Sequence, residues 1–325
     1  MAVRCNVLSM AVVTRYTELT GCRVPVQQAP MGSVSTAALA VAVAEAGGVG
    51  SIGMLGMSPA QVDKVLGGMV ARTSGVLAAN FLTSDIDPEA VAAAAARVRI
   101  VDFFWTDPDP ALVEVAHRGG ALACWQVGSL AEARAAAAAG CDVIAVQGTE
   151  AGGHVRGHSP LLPLLESVRG LGYDLPVLAA GGIGDARAFA AALAAGADGV
   201  RAGTRFVAAA ESGAHPLYKQ AVTEAAAGST EITGAFSVCP LCATSPRARV
   251  LTSCVGALRE VAGDTVGETT QGGQRVPVPR GHGTPPGAAA TGHIDAMPMY
   301  AGESAAAITS VEPAAAILGA WAAAV

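Results

Sequence analysis

PVLAAGGIGDARAFAAALAAGADGVRAGT, residues Pro176–Thr204, is the stretch on which the fold turns. A short apolar run, Pro176–Gly181, ends in glycines and is followed by an alanine-rich helical segment. Gly196 closes that helix, where a left-handed residue is wanted. A second apolar run, Asp198–Gly203, then ends in Gly203-Thr204. Strand, helix and strand at this spacing predict two parallel strands joined by a crossover helix.

The unit recurs upstream. Candidate strands are Val24–Ala29, Gly48–Gly53, Gly75–Phe81, Ile100–Trp105, Ala121–Gln126 and Asp142–Gln147, which with the two above make eight. Eight is the number that closes a (β/α) barrel. Ser58-Pro59 and Ser129 with Glu132 read as helix starts, the latter as a capping box. Gly47-Gly48, Gly119-Gly120 and Gly140 sit, like Gly196, between helix and strand. An open doubly wound sheet would carry GxGxxG after its first strand, and here that position reads QAPMGSVST. The predicted class is therefore α/β, a (β/α)8 TIM-type barrel with a smaller cap or lid.

Beyond Thr204 the rhythm changes. Glu211–Ala227 reads as helical, Gly228–His293 is rich in Gly, Pro, Thr and Ser without apolar period, and a last helix is expected from about Ser304 to Ala323. The expected division is a barrel over 1–210, a cap or lid over 211–293, and a segment 294–325 that returns to the barrel.

Composition excludes several functions. The 325 residues carry 20 basic and 26 acidic side chains, a net charge of −6, with no basic block, so nucleic acid is not an expected partner. Mean hydropathy is high at +0.45, but no uninterrupted apolar run is long enough to span a membrane. The early Arg4 and short apolar run lack a small-residue cleavage site and do not read as a secretory leader. Seven cysteines without framework spacing point to a reduced, cytoplasmic setting, and Cys239 and Cys242, though spaced CxxC, lack a second pair for a metal. No metal site is expected.

Active sites of barrels lie just past the strand ends. After the sixth strand comes Gln147-Gly148-Thr149-Glu150-Ala151-Gly152-Gly153-His154; after the seventh, Gly181-Gly182-Ile183-Gly184; after the eighth, Gly203-Thr204-Arg205. The last two loops suit a phosphate, because glycine lets backbone N–H groups approach an anion. His154 is placed to bond a substrate oxygen or take a proton near neutral pH, or simply to cap its loop. Asn80, Gln126 and Gln147 are amides at strand ends, each needing a partner in a ring edge or a loop carbonyl. The remaining histidines, His282 and His293 in the lid included, read as structural or solvated. Three amides and no cluster of His and carboxylates suggest a neutral, heteroaromatic, phosphate-bearing cofactor.

QAPM (Gln28–Met31), AGGVGSIG (Ala46–Gly53), QGTEAGGH (Gln147–His154), AAGGIGD (Ala179–Asp185), GADGVRAGTRFVAAAESGAHPLYKQA (Gly196–Ala221) and MYAGESA (Met299–Ala305) resemble the nitronate monooxygenase family, spanning nearly the whole chain. The resemblance implies FMN at the strand ends of a barrel and oxidation of alkyl nitronates or nitroalkanes by O2 to carbonyl compounds and nitrite. It implies that Asn80, Gln147, Gly152 and Gly182 line the FMN, with Arg201, Ala202, Gly203 and Thr204 at its phosphate. Met31 would lie near the flavin, Gln126 near its pyrimidine end, and His154 would be the active-site histidine. The same scaffold serves FMN-dependent NAD(P)H reductases of the enoyl-acyl-carrier-protein or quinone type, and a flavin-binding accessory protein is a third reading. A homodimer through alanine-rich helix faces stays open. Two departures bear on the site: Arg201-Ala202 stands where Gln-Met is usual, adding a cation near the phosphate or lid, and Glu303 stands where the family has Gln, a carboxylate that would repel an anionic substrate if it faced the site.

Overall fold

A computed structural model describes residues 11–82, 86–238, 247–271 and 273–325. The first ten residues and the Cys239–Cys242 pair, both read above from sequence, lie outside the described residues.

Eight parallel strands close a barrel: β1 (Val26–Gln28), β2 (Val49–Gly53), β3 (Val76–Leu82), β4 (Ile100–Phe104), β5 (Leu122–Val127), β6 (Val143–Gln147), then, past a two-residue strand β7 (Gly153–His154) outside it, β8 (Val177–Ala180) and β9 (Gly199–Ala202). β1 pairs with both β2 and β9, Gln27 lying opposite Arg201. The helices between start where short polar side chains cap them. Thr36, Asp87 and Asp109 accept from backbone N–H groups of the first turn, and Ser58 forms a full capping box with Gln61. The expected box at Ser129 is only half made: its hydroxyl accepts from Glu132 N, but the Glu132 carboxylate reaches Gly128 N and Arg156. Gly47, Gly120, Gly140 and Gly196 all have φ between 87° and 99°, as the helix-to-strand turns require. Alanine-rich helices press close to the sheet, and a Cβ on Gly50 would fall 1.9 Å from Ala40 O.

Inward-facing residues stack in layers. The amino-terminal end is apolar, with Val49, Ala78, Ile100, Leu122, Val143 and Leu178 sealed by fully buried Tyr16 from the helix Arg15–Thr20. Above it lies a polar layer containing Gln27, Ser51, Asp102, Cys124 and Arg201, all buried. Cys22, Cys124, Cys141 and Cys254 are buried free thiols.

The segment read as a loop-rich lid contains two antiparallel sheets. β10 (Thr230–Thr233) pairs with β11 (Ala248–Leu251), which pairs with β7, while β12 (Thr265–Gln271) pairs with β13 (Gln274–Pro279) and β14 (Thr291–Gly292). A second apolar core including Val250, Leu251, Cys254, Val255 and Met297 holds it together. The last helix begins later than expected, at Ala314, because Pro313 sets its first turn; Glu303–Ala307 form a 3-10 turn instead. Trp321 of this helix stacks on Phe189 at 5.5 Å, docking it on the barrel. No helix among the described residues is long and apolar enough to cross a membrane.

Candidate active site

A cavity of about 520 Å³ opens at the carboxyl ends of the barrel strands. Every residue expected at the site from sequence lines it: Met31 after β1, Asn80 on β3, Gln126 on β5, Gln147 on β6, Gly152 and His154 beyond it, Gly182 after β8, and Arg201 through Thr204 at the end of β9. No carboxylate among the described residues lines this space, and no metal-type cluster of His, Cys, Asp and Glu occurs among them.

The glycine positions leave room for a ligand. A Cβ at Gly203 would stand in the cavity, with Ala29 Cβ at 3.5 Å and Met31 Sδ at 3.6 Å as its nearest neighbours. Gly181 and Gly182 have φ of 115° and 71°, turning their backbone sharply past the mouth. Thr204 Oγ1 accepts from Gly302 N at 3.0 Å and so ties the MYAGESA segment to the end of β9.

The strand-end amides divide into two kinds. Gln147 is consumed by its own loop, its Nε2 donating to His154 O at 2.8 Å and its Oε1 accepting from Arg156 N at 3.2 Å. It shapes the turn that carries His154. Among the described residues, Asn80 and Gln126 use only one end each: Asn80 Nδ2 donates to Asp102 Oδ2 and O, and Gln126 Oε1 accepts from Arg201 Nη1 at 2.8 Å.

Arg201 departs from the expectation of a cation near the phosphate or lid. Side chains alternate along a strand, and position 201 faces the bore. Its guanidinium meets Asp102 Oδ1 at 2.8 Å and is 2% exposed. Burial works against its charge, but Asp102 beside it outweighs that and holds Arg201 protonated. Glu303 is corrected likewise: it points away from the cavity to Arg249 Nη2, 3.1 Å away, with half its side chain in solvent. Neither departure adds net charge to the cavity wall.

His154 is half-buried, its ring edge-on to Trp105 at 5.2 Å and 5.7 Å from Tyr300. Burial lowers its pKa below 6.5, favouring the neutral imidazole at pH 7. Its loop is braced by Arg156, which donates to Trp105 O at 2.7 Å and pairs with Glu132 and Asp107. Trp105 holds φ of 80°, a conformation that an ordinary residue keeps only when its surroundings enforce it. His282, expected to be structural or solvated, lines the cavity from the cap with its Nδ1 bonded to Thr284. Tyr218, Gln271 and Tyr300 join it there. Sequence reasoning missed these residues, together with Asp102, Trp105 and Arg156; only the run of aromatics at Phe103–Trp105, closing a strand, offered a signal.

The family model described as nitronate monooxygenase matches residues 14–93 and 73–320. A nitronate monooxygenase of Pseudomonas aeruginosa is 35% identical over 69% of this chain and 77% of that protein. A (3aS,4S,5R,7aS)-5-hydroxy-7a-methyl-1-oxo-octahydro-1H-indene-4-carboxyl-CoA dehydrogenase of Mycobacterium tuberculosis is 34% identical over 69% of this chain, and the match covers 64% of that protein's length. Among solved structures, FabK from Thermotoga maritima superposes with a TM-score of 0.76 at 28% identity, covering 96% of both chains. A nitroalkane oxidase from Streptomyces ansochromogenes does so with a TM-score of 0.73 at 28% identity, over 94% of this chain and 96% of the other. With the family model spanning barrel and cap together, the chain belongs to the nitronate monooxygenase family of flavin-dependent oxidoreductases.

Proposed function

We propose that this protein is an FMN-dependent nitronate monooxygenase, converting alkyl nitronates or nitroalkanes with O2 to carbonyl compounds and nitrite. The observation that carries this reading is a cavity lined by His154 and two half-used amides and, among the described residues, by no carboxylate, which an anionic nitronate enters without repulsion. The residues fit a flavin: Asn80 and Gln126 would meet its ring edge, Met31 its face, and Gly182, Gly203 and Thr204 the phosphate, where the loop backbone offers N–H groups. When bound, FMN supplies the electron transfer and the reaction with oxygen.

The protein's own part is binding and proton handling. A nitronate already carries the charge that a base would have to create, so it needs only orientation. A neutral nitroalkane must first lose its α-proton, and the His154 imidazole, neutral at pH 7, is the group placed to take it. Gln147 and Arg156 hold its loop in place. The described residues of the 211–293 segment act as the cap, covering the cavity through Tyr218, Gln271 and His282 and shielding the reacting atoms from water.

The likeness to FabK over nearly the whole chain favours one second reading, a flavin reductase fed by NAD(P)H. Anaerobic mixing separates the two. Propyl-2-nitronate should bleach the bound flavin and air should then yield nitrite; rapid bleaching by NADH with none by nitronate would sink the monooxygenase reading.

A further inference from the structure

The polar layer of the barrel holds an ion pair that the chemistry above does not use. Asp102 on β4 and Arg201 on β9 meet at 2.8 Å across the bore, both essentially without solvent contact. A buried ion pair is weak evidence for stability, since desolvation offsets most of the attraction. Its partners suggest another role. Arg201 Nη1 donates to Gln126 Oε1, and its Nη2 donates to Gln27 Oε1 and Cys124 Sγ as well as to Asp102. Asp102 Oδ2 accepts from Asn80 Nδ2 at 3.1 Å.

An amide is ambiguous: either end could face either way. Arginine only donates and a carboxylate only accepts, so each of these amides has one permitted orientation. Asn80 must give its N–H groups to Asp102, which leaves Oδ1 for the cavity. Gln126 must give its oxygen to Arg201, which leaves the Nε2 hydrogens. The free ends take no hydrogen bond from the described residues. The floor therefore offers one acceptor and one donor in a set arrangement, and Gln147, satisfied at both ends, adds neither.

We propose that the Asp102–Arg201 pair is a positioning device that fixes the polarity of Asn80 and Gln126, so that the cavity selects a ring presenting an N–H beside a carbonyl. This rests on the flavin reading above: the imide edge of a flavin is such an edge, with its N3–H matched to Asn80 Oδ1 and an adjacent carbonyl to Gln126 Nε2. A site built to bond a polar hydrogen rejects an analogue lacking it, because the buried acceptor is left unpaired.

The test compares binding of FMN and of N3-methyl-FMN to the full chain freed of flavin, followed by flavin fluorescence. The native protein should bind FMN at least about tenfold more tightly than the methylated form. In the double variant Asp102→Asn with Arg201→Gln, Gln126 regains rotational choice and Asn80 keeps only the main-chain O of residue 102 in place of a carboxylate, and this preference should fall to less than about threefold. A merely structural role would weaken both ligands together and leave the preference intact, which overturns the proposal. Arg201→Lys retains a cation opposite Asp102 but loses the fork that also holds Gln126. It should weaken binding of both flavins through Gln126 while the N3 preference, set by Asn80 on the retained carboxylate, persists; Asp102→Asn alone should lose that preference, and it decides the matter if the double variant fails to fold. Binding of FMN by the native protein without any preference overturns the role of the pair alone, whereas no FMN binding at all overturns the flavin reading and this proposal with it.

Discussion

The cavity has two walls built on opposite principles. The barrel floor is polar, and its side chains are held by other side chains: Asp102, Arg201, Asn80 and Gln126 form one connected network across the bore. The opposite wall places the rings of Tyr218, His282 and Tyr300 among small and polar residues, and its tyrosines are held by backbone. Tyr300 Oη donates to Gly283 O at 2.8 Å, and Tyr218 Oη donates to Tyr300 O. A network of charges in a buried layer tolerates little movement, because each group is held by several partners at once and a displaced one would be left unpaired away from water. A wall hung on backbone hydrogen bonds and packing can change its side chains without changing its path. The floor is suited to an invariant cofactor and the cap to whichever substrate the protein takes.

The contrast is broken most severely by Asp102→Ala. It leaves Arg201 charged and unpaired in the bore and should cost about 3–5 kcal/mol of stability, read by denaturant unfolding. A loss below about 1 kcal/mol would mean that water or a neighbour replaces the carboxylate. Next is His154→Ala, expected to lower turnover of a neutral nitroalkane by about 10²-fold or more, with a much smaller loss for the preformed nitronate. Flavin content should be unchanged on purification; a protein that comes out colourless would move His154 from the substrate side to the cofactor side.

The pH dependence sharpens the same point. Because burial lowers the His154 pKa below 6.5, the imidazole is neutral and competent above its folded pKa. The kcat/KM for a nitroalkane should therefore rise with pH to a plateau with its inflection below 6.5, and the nitronate should not show that rise. The linked stability term has the matching sign: the unfolded chain binds the proton more readily, so stability present above pH 6.5 is lost as pH falls through the folded value. An inflection in kcat/KM above 6.5 would contradict the burial argument.

The smallest effect is expected at the cap. Glu303→Gln removes a half-exposed partner of Arg249 and should cost less than about 1 kcal/mol. The KM for a nitronate should stay within about twofold, since the carboxylate does not line the cavity. A clear drop in KM would restore the view that its charge repels the substrate.

Much of this protein is readable along the chain because the barrel is built from local rules. The periods of Val24–Thr204, the polar caps at Ser58, Asp87 and Asp109 and the left-handed glycines are each set by neighbours a few residues away, so eight strands could be placed before any contact was known. Residues at strand ends follow from the same regularity, which is why Asn80, Gln126, Gln147 and His154 fall together on the wall of one cavity. The antiparallel sheets of the cap were not, since β10, β11 and β7 pair over long separations and their sequence lacks an apolar period. Nor could sequence say where a polar side chain is spent. Arg201 and Asp102 are 99 residues apart and meet only because β4 and β9 face each other across a closed bore. Glu303 turns to Arg249 for a similar reason. Local spacing determined the barrel and which residues reach its mouth; charge pairing across it, a long-range property of closure, decided which atoms are left for a ligand.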